Sequence, residues 1–355
     1  MSSSLPLGER KRSVSPAAGG RVALTGSIQE GSLSKRALYE LLERVSRTFA
    51  LSNRMLPRRF RDPMTVAYLL FRVSDYLEDN PVLRRQEKAA MLRTWERVLA
   101  GAAPYAELEG AMRPLPWEDG EAEVARRFRQ LLENLESLQP EVCEAIRRRA
   151  RETTRGMELW QHKGPRIRTE AELDEYMHYV AGIVGLMITE VFSSISITVR
   201  CRRRQLLPLS REYGLGLQTV NILRGVRKDR ERGWIFIPEE FCREAGIGPE
   251  ELFNEKRIEE SLLVIDRLIS KAERHLREGL CYVLALPRSL YRVRVAAMWP
   301  LMFAARTLSI ARANPAVLRD EAKMGRRDVM RILRHTVVLG WSDRWVEHYF
   351  DRLLR

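Results

Sequence analysis

From Ser34 onward, apolar residues recur three and four positions apart, the stripe that an amphipathic helix turns toward a core. Leu38, Leu41, Leu42 and Val45 set the pattern. Comparable stripes predict helices over 64–79, 86–99, 121–138, 140–159, 170–197, 205–229, 256–285 and 289–313, with shorter ones at 322–334 and 342–354. Proline- and glycine-bearing breaks separate them, among them Asp62-Pro63, Asn80-Pro81, Gly164-Pro165, Pro208, Gly248-Pro249 and Asn314-Pro315. Alternation of the strand kind is confined to Trp234–Ile237, and no segment repeats. The predicted fold class is all-α: one undivided helical domain over 34–355, behind a flexible basic N-terminal tail over 1–33.

The run Val180–Val199 is apolar for about the length of a membrane-crossing helix. It carries Glu190 and several Ser and Thr residues, which predicts a buried core helix instead. The tail is rich in Ser and Gly, holds Arg10-Lys11-Arg12, and lacks the apolar stretch of a secretion signal. An organellar targeting segment is the alternative for the same residues.

Composition narrows the class. The 355 residues are 45% apolar and 30% charged, which excludes disordered, collagenous and disulfide-framework proteins. Four scattered cysteines form no C-x-x-C pair, and five histidines show no metal-binding spacing. A zinc site is therefore not indicated, and a reducing, cytoplasmic compartment fits. The net charge is +14, and eight of the 61 basic residues are lysines, so arginine dominates. Its planar fork suits phosphate and carboxylate. An anionic membrane surface, a polyphosphorylated substrate and nucleic acid would each match; an arginine-favouring genome would give the same bias. Nucleic acid ranks last, because no base-stacking platform or known motif accompanies the charge.

One constellation carries chemistry. Asp75 and Asp79 lie four apart on one helix face with Glu78 beside them, a repulsive arrangement unless a cation sits between. Mg²⁺ suits the place, since it takes carboxylates together with substrate phosphates; a solvated acidic helix end is the plain alternative. On a second, largely apolar helix, Gln218, Asn221, Gly225 and Asp229 share a stripe, and three of them carry oxygen ligands. Arg72 precedes Asp75 by one turn and Arg224 follows Asn221. Such arginines serve either as structural ion pairs or as a bidentate clamp on diphosphate oxygens.

These blocks are familiar. Ser46-Arg47-Thr48-Phe49-Ala50, the stretch Tyr68–Asp79, Tyr176-Met177-His178-Tyr179-Val180-Ala181-Gly182-Ile183-Val184-Gly185 and Gln218–Asp229 stand in the order of the squalene/phytoene synthase family, which the chain resembles over roughly residues 34–335. The resemblance implies the all-α isoprenoid-synthase fold around a deep apolar pocket. It also implies Mg²⁺-dependent head-to-head condensation of two farnesyl diphosphates through a cyclopropyl (presqualene-type) diphosphate, leading to squalene or a related C30 product. The tyrosine–histidine form of the third block is more similar to squalene synthases than to phytoene synthases. Carried over residue by residue, it makes Asp75, Glu78, Asp79, Asn221 and Asp229 the metal ligands. Ser46, Arg47, Phe49, Tyr68, Arg72, Gln218, Asn221 and Arg224 become substrate contacts, and Tyr176, Asp75 and Asp79 the catalytic groups. A free phenol titrates near about 10, so Tyr176 suits relaying a proton to released diphosphate, or steadying a cation, better than acting as a base.

The chain departs from the family at Gly225, where the second motif has aspartate, and at Lys228, where glutamate is frequent. A water could fill the gap, or Arg227 and Lys228 could supply the missing positive charge. Reduction to squalene would call on NADPH, which would use the helical pocket because no G-x-G-x-x-G module is present. Trp341, Trp345 and Tyr349, four apart, predict packing of the C-terminal stretch onto the domain, with peripheral membrane contact as the alternative. A phytoene- or diapophytoene-forming enzyme, a hydroxysqualene-forming enzyme and a non-catalytic assembly factor are the rival functions. The last has no reason to keep Asp75, Glu78, Asp79, Asn221 and Asp229 together.

Overall fold

Ser34 opens the first helix, its hydroxyl accepting a hydrogen bond from the Ala37 amide. The computed structural model describes residues 31–115, 120–319 and 324–355; the expected tail lies outside the described residues except for its last three positions. In chain order the helices are α1 (Lys35–Val45), α2 (Arg47–Met55), α3 (Arg58–Asp79), α4 (Arg85–Leu99), α5 (Tyr105–Met112), α6 (Gly120–Arg126), α7 (Phe128–Glu136), α8 (Pro140–Lys163), α9 (Glu170–Met177), α10 (Ile183–Ile195), α11 (Ile197–Arg200), α12 (Arg203–Glu231), α13 (Glu239–Glu244), α14 (Ile258–Ala285), α15 (Tyr291–Ala311), α16 (Arg326–Leu339) and α17 (Asp343–Leu354). No strand forms among the described residues. The alternating run at Trp234–Ile237 contributes a single parallel bridge from Ile235 to Arg166, and its aromatic residues stack instead.

Local chemistry explains where the boundaries depart from the periodic stripes. Ser46 is extended (φ −156°, ψ 103°), so it closes α1 and caps α2 through the Phe49 amide, giving two helices where one stripe was visible. The 121–138 stripe breaks at Arg127 into α6 and α7. The stripe expected over 322–334 is α16, which runs on to Leu339. Pro63 and Pro208 were expected as breaks but lie inside α3 and α12, each the sixth helical residue, where a proline removes only one early backbone bond.

The core is the centre of this bundle. α12 packs along α14 through buried residues such as Ile222, Leu268 and Leu276, and α10 lies against α8 and α12. Two glycines permit that closeness: a Cβ at Gly185 would stand 2.0 Å from the Ser210 carbonyl oxygen, and one at Gly214 would stand 2.4 Å from that of Ala181. Among the described residues, Glu170–Ile195 is the one helical run long and apolar enough to cross a membrane. Of its most apolar window 44% is buried; the core helix expected over 180–199 ends at Ile195, and Ile197 beyond it is 66% exposed. Glu190, 5% exposed, is held by Arg148 (2.8 Å), Arg149 (2.8 Å) and Arg203 (3.4 Å).

Candidate active site

Helices α2, α3, α10, α12 and α15 enclose a cavity of about 870 Å³. Its wall is mostly aliphatic and aromatic, with Phe71, Leu217 and Phe303 among the contributors. The polar groups gather on α2, α3 and α12: Ser46, Tyr68, Arg72, Asp75, Gln218, Asn221 and Arg224 all line it. The sequence had put these seven in one site, and the fold does bring them to one cavity. Phe49 lines it too, stacked on Tyr68 with ring centres 4.2 Å apart. Arg47 is the first residue of α2.

Arg72 is the hub of the first acidic motif. It donates to Asp75 at 2.7 Å and also pairs with Glu121 on α6, while its Nε is buried without a partner. Burial raises the Asp75 carboxyl to about 6; Arg72 opposes this and Asp79 adds to it. Burial likewise pushes Glu78 well above the carboxylate range, reinforced by Asp79 and Asp75. Glu78, Asp79 and Asp229 do not line the cavity; on α12 burial raises Asp229 to about 6, with Arg232 and Lys228 opposing and Asp79 adding. The two acidic helices thus feel one another's charge. Asn221 accompanies them on the α12 stripe, its amide donating to Gln218 at 3.4 Å.

Tyr176 is the penultimate residue of α9 and does not line the cavity. Its ring stacks on Phe236 (4.6 Å between centres) and meets Trp160 edge-on. Burial pushes its hydroxyl well above 10, and the negative charges of Glu78, Asp79, Asp229 and Asp75 push the same way. The hydroxyl therefore keeps its proton. After Met177 the chain makes one π-helical turn, His178–Gly182, before α10 begins. Wide turns of this kind recur at functional sites. The turn carries Val180 and Ala181 to the cavity, while His178 faces away from it, accepting from Arg211 at 3.2 Å.

Position 225 shares the helix face of Asp229 and does not line the cavity. A Cβ placed on Gly225 would stand 3.2 Å from a carboxylate oxygen of Asp229. The cations suggested to cover its missing carboxylate are only partly the right ones. Arg227 turns to Glu231 at 3.2 Å. It is Arg232 that reaches Asp79, at 3.4 Å, and that acts on Asp229 ahead of Lys228. Glu121, Lys88 and Arg232 were not singled out from sequence. Arg232 stands three residues after Asp229, a one-turn spacing that could have drawn notice; nothing local marks Glu121. A second cavity of about 810 Å³ opens beside Asp79, with Arg84, Arg85, Lys88 and Arg232 in its wall. Among the described residues no three His, Cys, Asp or Glu side chains form a ready-made metal cage. The carboxylates are instead spread along two facing helices, which suits ions shared with a bound diphosphate.

Known proteins share the sequence and the fold to differing degrees. The family model described as squalene/phytoene synthase matches residues 42–328. A lycopaoctaene synthase of Botryococcus braunii is 27% identical over 313 residues, covering 84% of this chain and 65% of that protein. A squalene synthase of Schizosaccharomyces pombe is 25% identical over 316 residues, covering 86% and 65%. The chain thus spans a little under two thirds of the length of these curated relatives. Among solved structures, TcSQS in complex with the ligand BPH1237 superposes with a TM-score of 0.77 at 23% identity, covering 90% of each chain. A dehydrosqualene synthase in complex with a ligand gives 0.63 at 20% identity, covering 85% and 95%. Both share the all-helical fold.

Proposed function

Starting from a chain that belongs to the squalene/phytoene synthase family, we propose that it condenses two farnesyl diphosphates head to head. The first half-reaction would close a cyclopropane with loss of one diphosphate and one proton; the second would release the other diphosphate and open the ring to a cation, which would take hydride from NADPH to give squalene, take water to give an alcohol, or lose a proton to give a triene. One observation carries this reading: two carboxylate-bearing helices face each other, Asp79 acting on Asp229 across them, and Asp75 with Asn221 and Arg224 stands in the wall of an apolar cavity of about 870 Å³. Anionic heads would sit at the mouth and prenyl tails in the cavity.

Asp75, Glu78, Asp79, Asn221 and Asp229 offer hard oxygen donors, and their mutual repulsion makes a divalent cation welcome, so the set fits Mg²⁺. Bound there, Mg²⁺ would neutralise charge developing on the departing diphosphate. The remaining roles belong to the chain. Arg72, with an unpartnered Nε and a carboxylate on either side, can turn its fork from Asp75 to a phosphate oxygen. Gln218, Asn221 and Arg224 present donors to the same space. Tyr68, stacked on Phe49, forms an aromatic wall on which a developing carbocation can rest. Tyr176, held protonated by its surroundings, is a hydrogen-bond donor to diphosphate and not a free base.

The test is incubation with farnesyl diphosphate and Mg²⁺, with and without NADPH, followed by product mass. A cyclopropyl C30 diphosphate without NADPH and squalene with it are expected. A C30 alcohol or a dehydrogenated C30 triene in both arms would assign the hydroxysqualene or diapophytoene alternative. No diphosphate release in either arm would overturn the enzyme reading.

A further inference from the structure

Large apolar side chains are exposed at nine described positions, and five of them fall between Met330 and Trp341. They belong to α16 and the turn after it. Met330, Val337, Val338 and Trp341 follow helical spacing on one outer face, with Val338 66% and Trp341 63% exposed. Arg327, Arg331 and Arg334 stand on that same face, all exposed. Among the described residues Arg327 and Arg334 have no ion-pair partner, and Arg331 reaches Asp328 only at 3.8 Å. The opposite face is fixed to the protein. Ile332 and Thr336 are buried, Trp299 donates to the Thr336 hydroxyl at 2.8 Å, and the Tyr291 hydroxyl donates to the Val337 carbonyl at 2.7 Å. Val329 and the preceding Met324 reach through to the 870 Å³ cavity.

A helix pinned by one face and presenting aliphatic groups, a tryptophan and arginines on the other has the make-up of an interfacial helix. We propose that α16, continued by Trp341, seats the protein on an anionic lipid bilayer. Val337, Val338 and Trp341 enter the acyl boundary, and Arg327, Arg331 and Arg334 meet lipid phosphates. Anionic lipid is the occupant that fits, because the apolar residues are interleaved with arginines on the same face, two of which have no ion-pair partner among the described residues. That interleaving opposes a second copy of the same face, which would bring like charges together. The seat corrects the position expected for membrane contact. Of the aromatic residues four apart near the C-terminus, Tyr349 is buried, with Trp345 stacked on it at 4.6 Å, so only Trp341 is offered to a surface. α16 then forms a wall between the cavity and the bilayer.

Flotation of the full chain with vesicles tests this. Vesicles of phosphatidylglycerol and phosphatidylcholine should carry the protein, and pure phosphatidylcholine vesicles should carry far less. Val338→Asp with Trp341→Ser should weaken binding by at least about tenfold, as should Arg327→Glu with Arg334→Glu, and the second pair should also flatten the salt dependence. Thermal midpoints near that of the parent establish that both variants fold. Undiminished binding by both folded variants would overturn the proposal, since attraction would then lie elsewhere on the basic chain. Failure of the parent to float would overturn it too. A sedimenting dimer that Val338→Asp dissociates, without vesicle binding, would assign the face to self-association instead.

Discussion

Replacing Gly225 with Asp adds one carboxylate where two acidic helices already face each other. The substituted Cβ would stand 3.2 Å from the Asp229 oxygen, a contact that a small rotation of that carboxylate relieves. Removing a helix-interior glycine gains roughly 0.3 kcal/mol, and a like-charge pair four residues apart loses roughly 0.3–0.5 kcal/mol. The two nearly cancel. At about 2.1 cal/mol/K per residue, a domain of this size shifts by about 1.5 °C per kcal/mol, so in EDTA the thermal midpoint should stay within about 1 °C of the parent. With Mg²⁺ and inorganic diphosphate the variant should gain more than the parent, because the new group is a third oxygen ligand on the stripe with Asn221 and Asp229. Titrating Mg²⁺ in a diphosphate-release assay should show half-maximal turnover at a concentration at least about threefold lower, equivalent to roughly 0.7 kcal/mol. A midpoint unresponsive to Mg²⁺ together with an unchanged Mg²⁺ titration would refute the reasoning. A fall in activity with tighter pairing to Arg232 would mean that this arginine already does the metal's work.

Asp75 has a folded-state pKa near 6, above its ordinary value, so the stability it contributes is present at low pH and lost as pH rises through about 6. Asp75→Asn should therefore match the parent most closely below about pH 4 and become relatively more stable by pH 7.5, by at most about 3 kcal/mol, while diphosphate release is abolished; melting curves in EDTA across that range check it, and a constant offset would contradict it. Tyr176→Phe should bind substrate yet turn over about 10²–10⁴-fold more slowly, read as a fall in kcat at similar KM; equal kcat would reduce Tyr176 to a core aromatic. Glu190→Gln strips the charge from a carboxylate shared by three arginines and should lower stability by about 2–3 kcal/mol, seen as a midpoint lower by about 3–5 °C, with no change in Mg²⁺ dependence.

What could be read from the sequence follows the range of the signal. Helical periodicity is local, so α3, α8, α12 and α14 were visible in the spacing of apolar residues. Motif order carried the site, because Asp75, Asp79, Asn221 and Asp229 each belong to a short block. Partners distant along the chain were hidden. Glu121 meets Arg72 across 49 residues, and Arg232 meets Asp79 across 153; no period encodes either meeting. Ser46 was read only as a phosphate contact, although it is also the residue that ends α1 and starts α2. The tryptophan spacing near the C-terminus suggested a continuous face, but which end of that face reaches solvent depends on packing against α15.

The single π-turn at His178–Gly182 bears on how this site tolerates insertion and deletion. A wide turn holds about one more residue than an α-helical turn. Deleting one residue there would let the backbone revert to regular α-helix with its hydrogen bonds intact, so the lesion would be nearly silent locally. Everything downstream would then keep nearly its phase relative to Tyr176, because the deleted residue is the extra one that the wide turn absorbs; closing the turn to α-helix at full length would instead swing it by about 100°. In that second case Gly185, where a Cβ would stand 2.0 Å from the Ser210 carbonyl oxygen, would turn away from α12 and a residue with a side chain would take its place. The turn thus acts as a phase-setter between Tyr176 upstream and the cavity wall downstream. What the site depends on is the widened geometry of the turn, within which Gly182 has little room for a side chain: a Cβ there would stand 2.9 Å from Leu215.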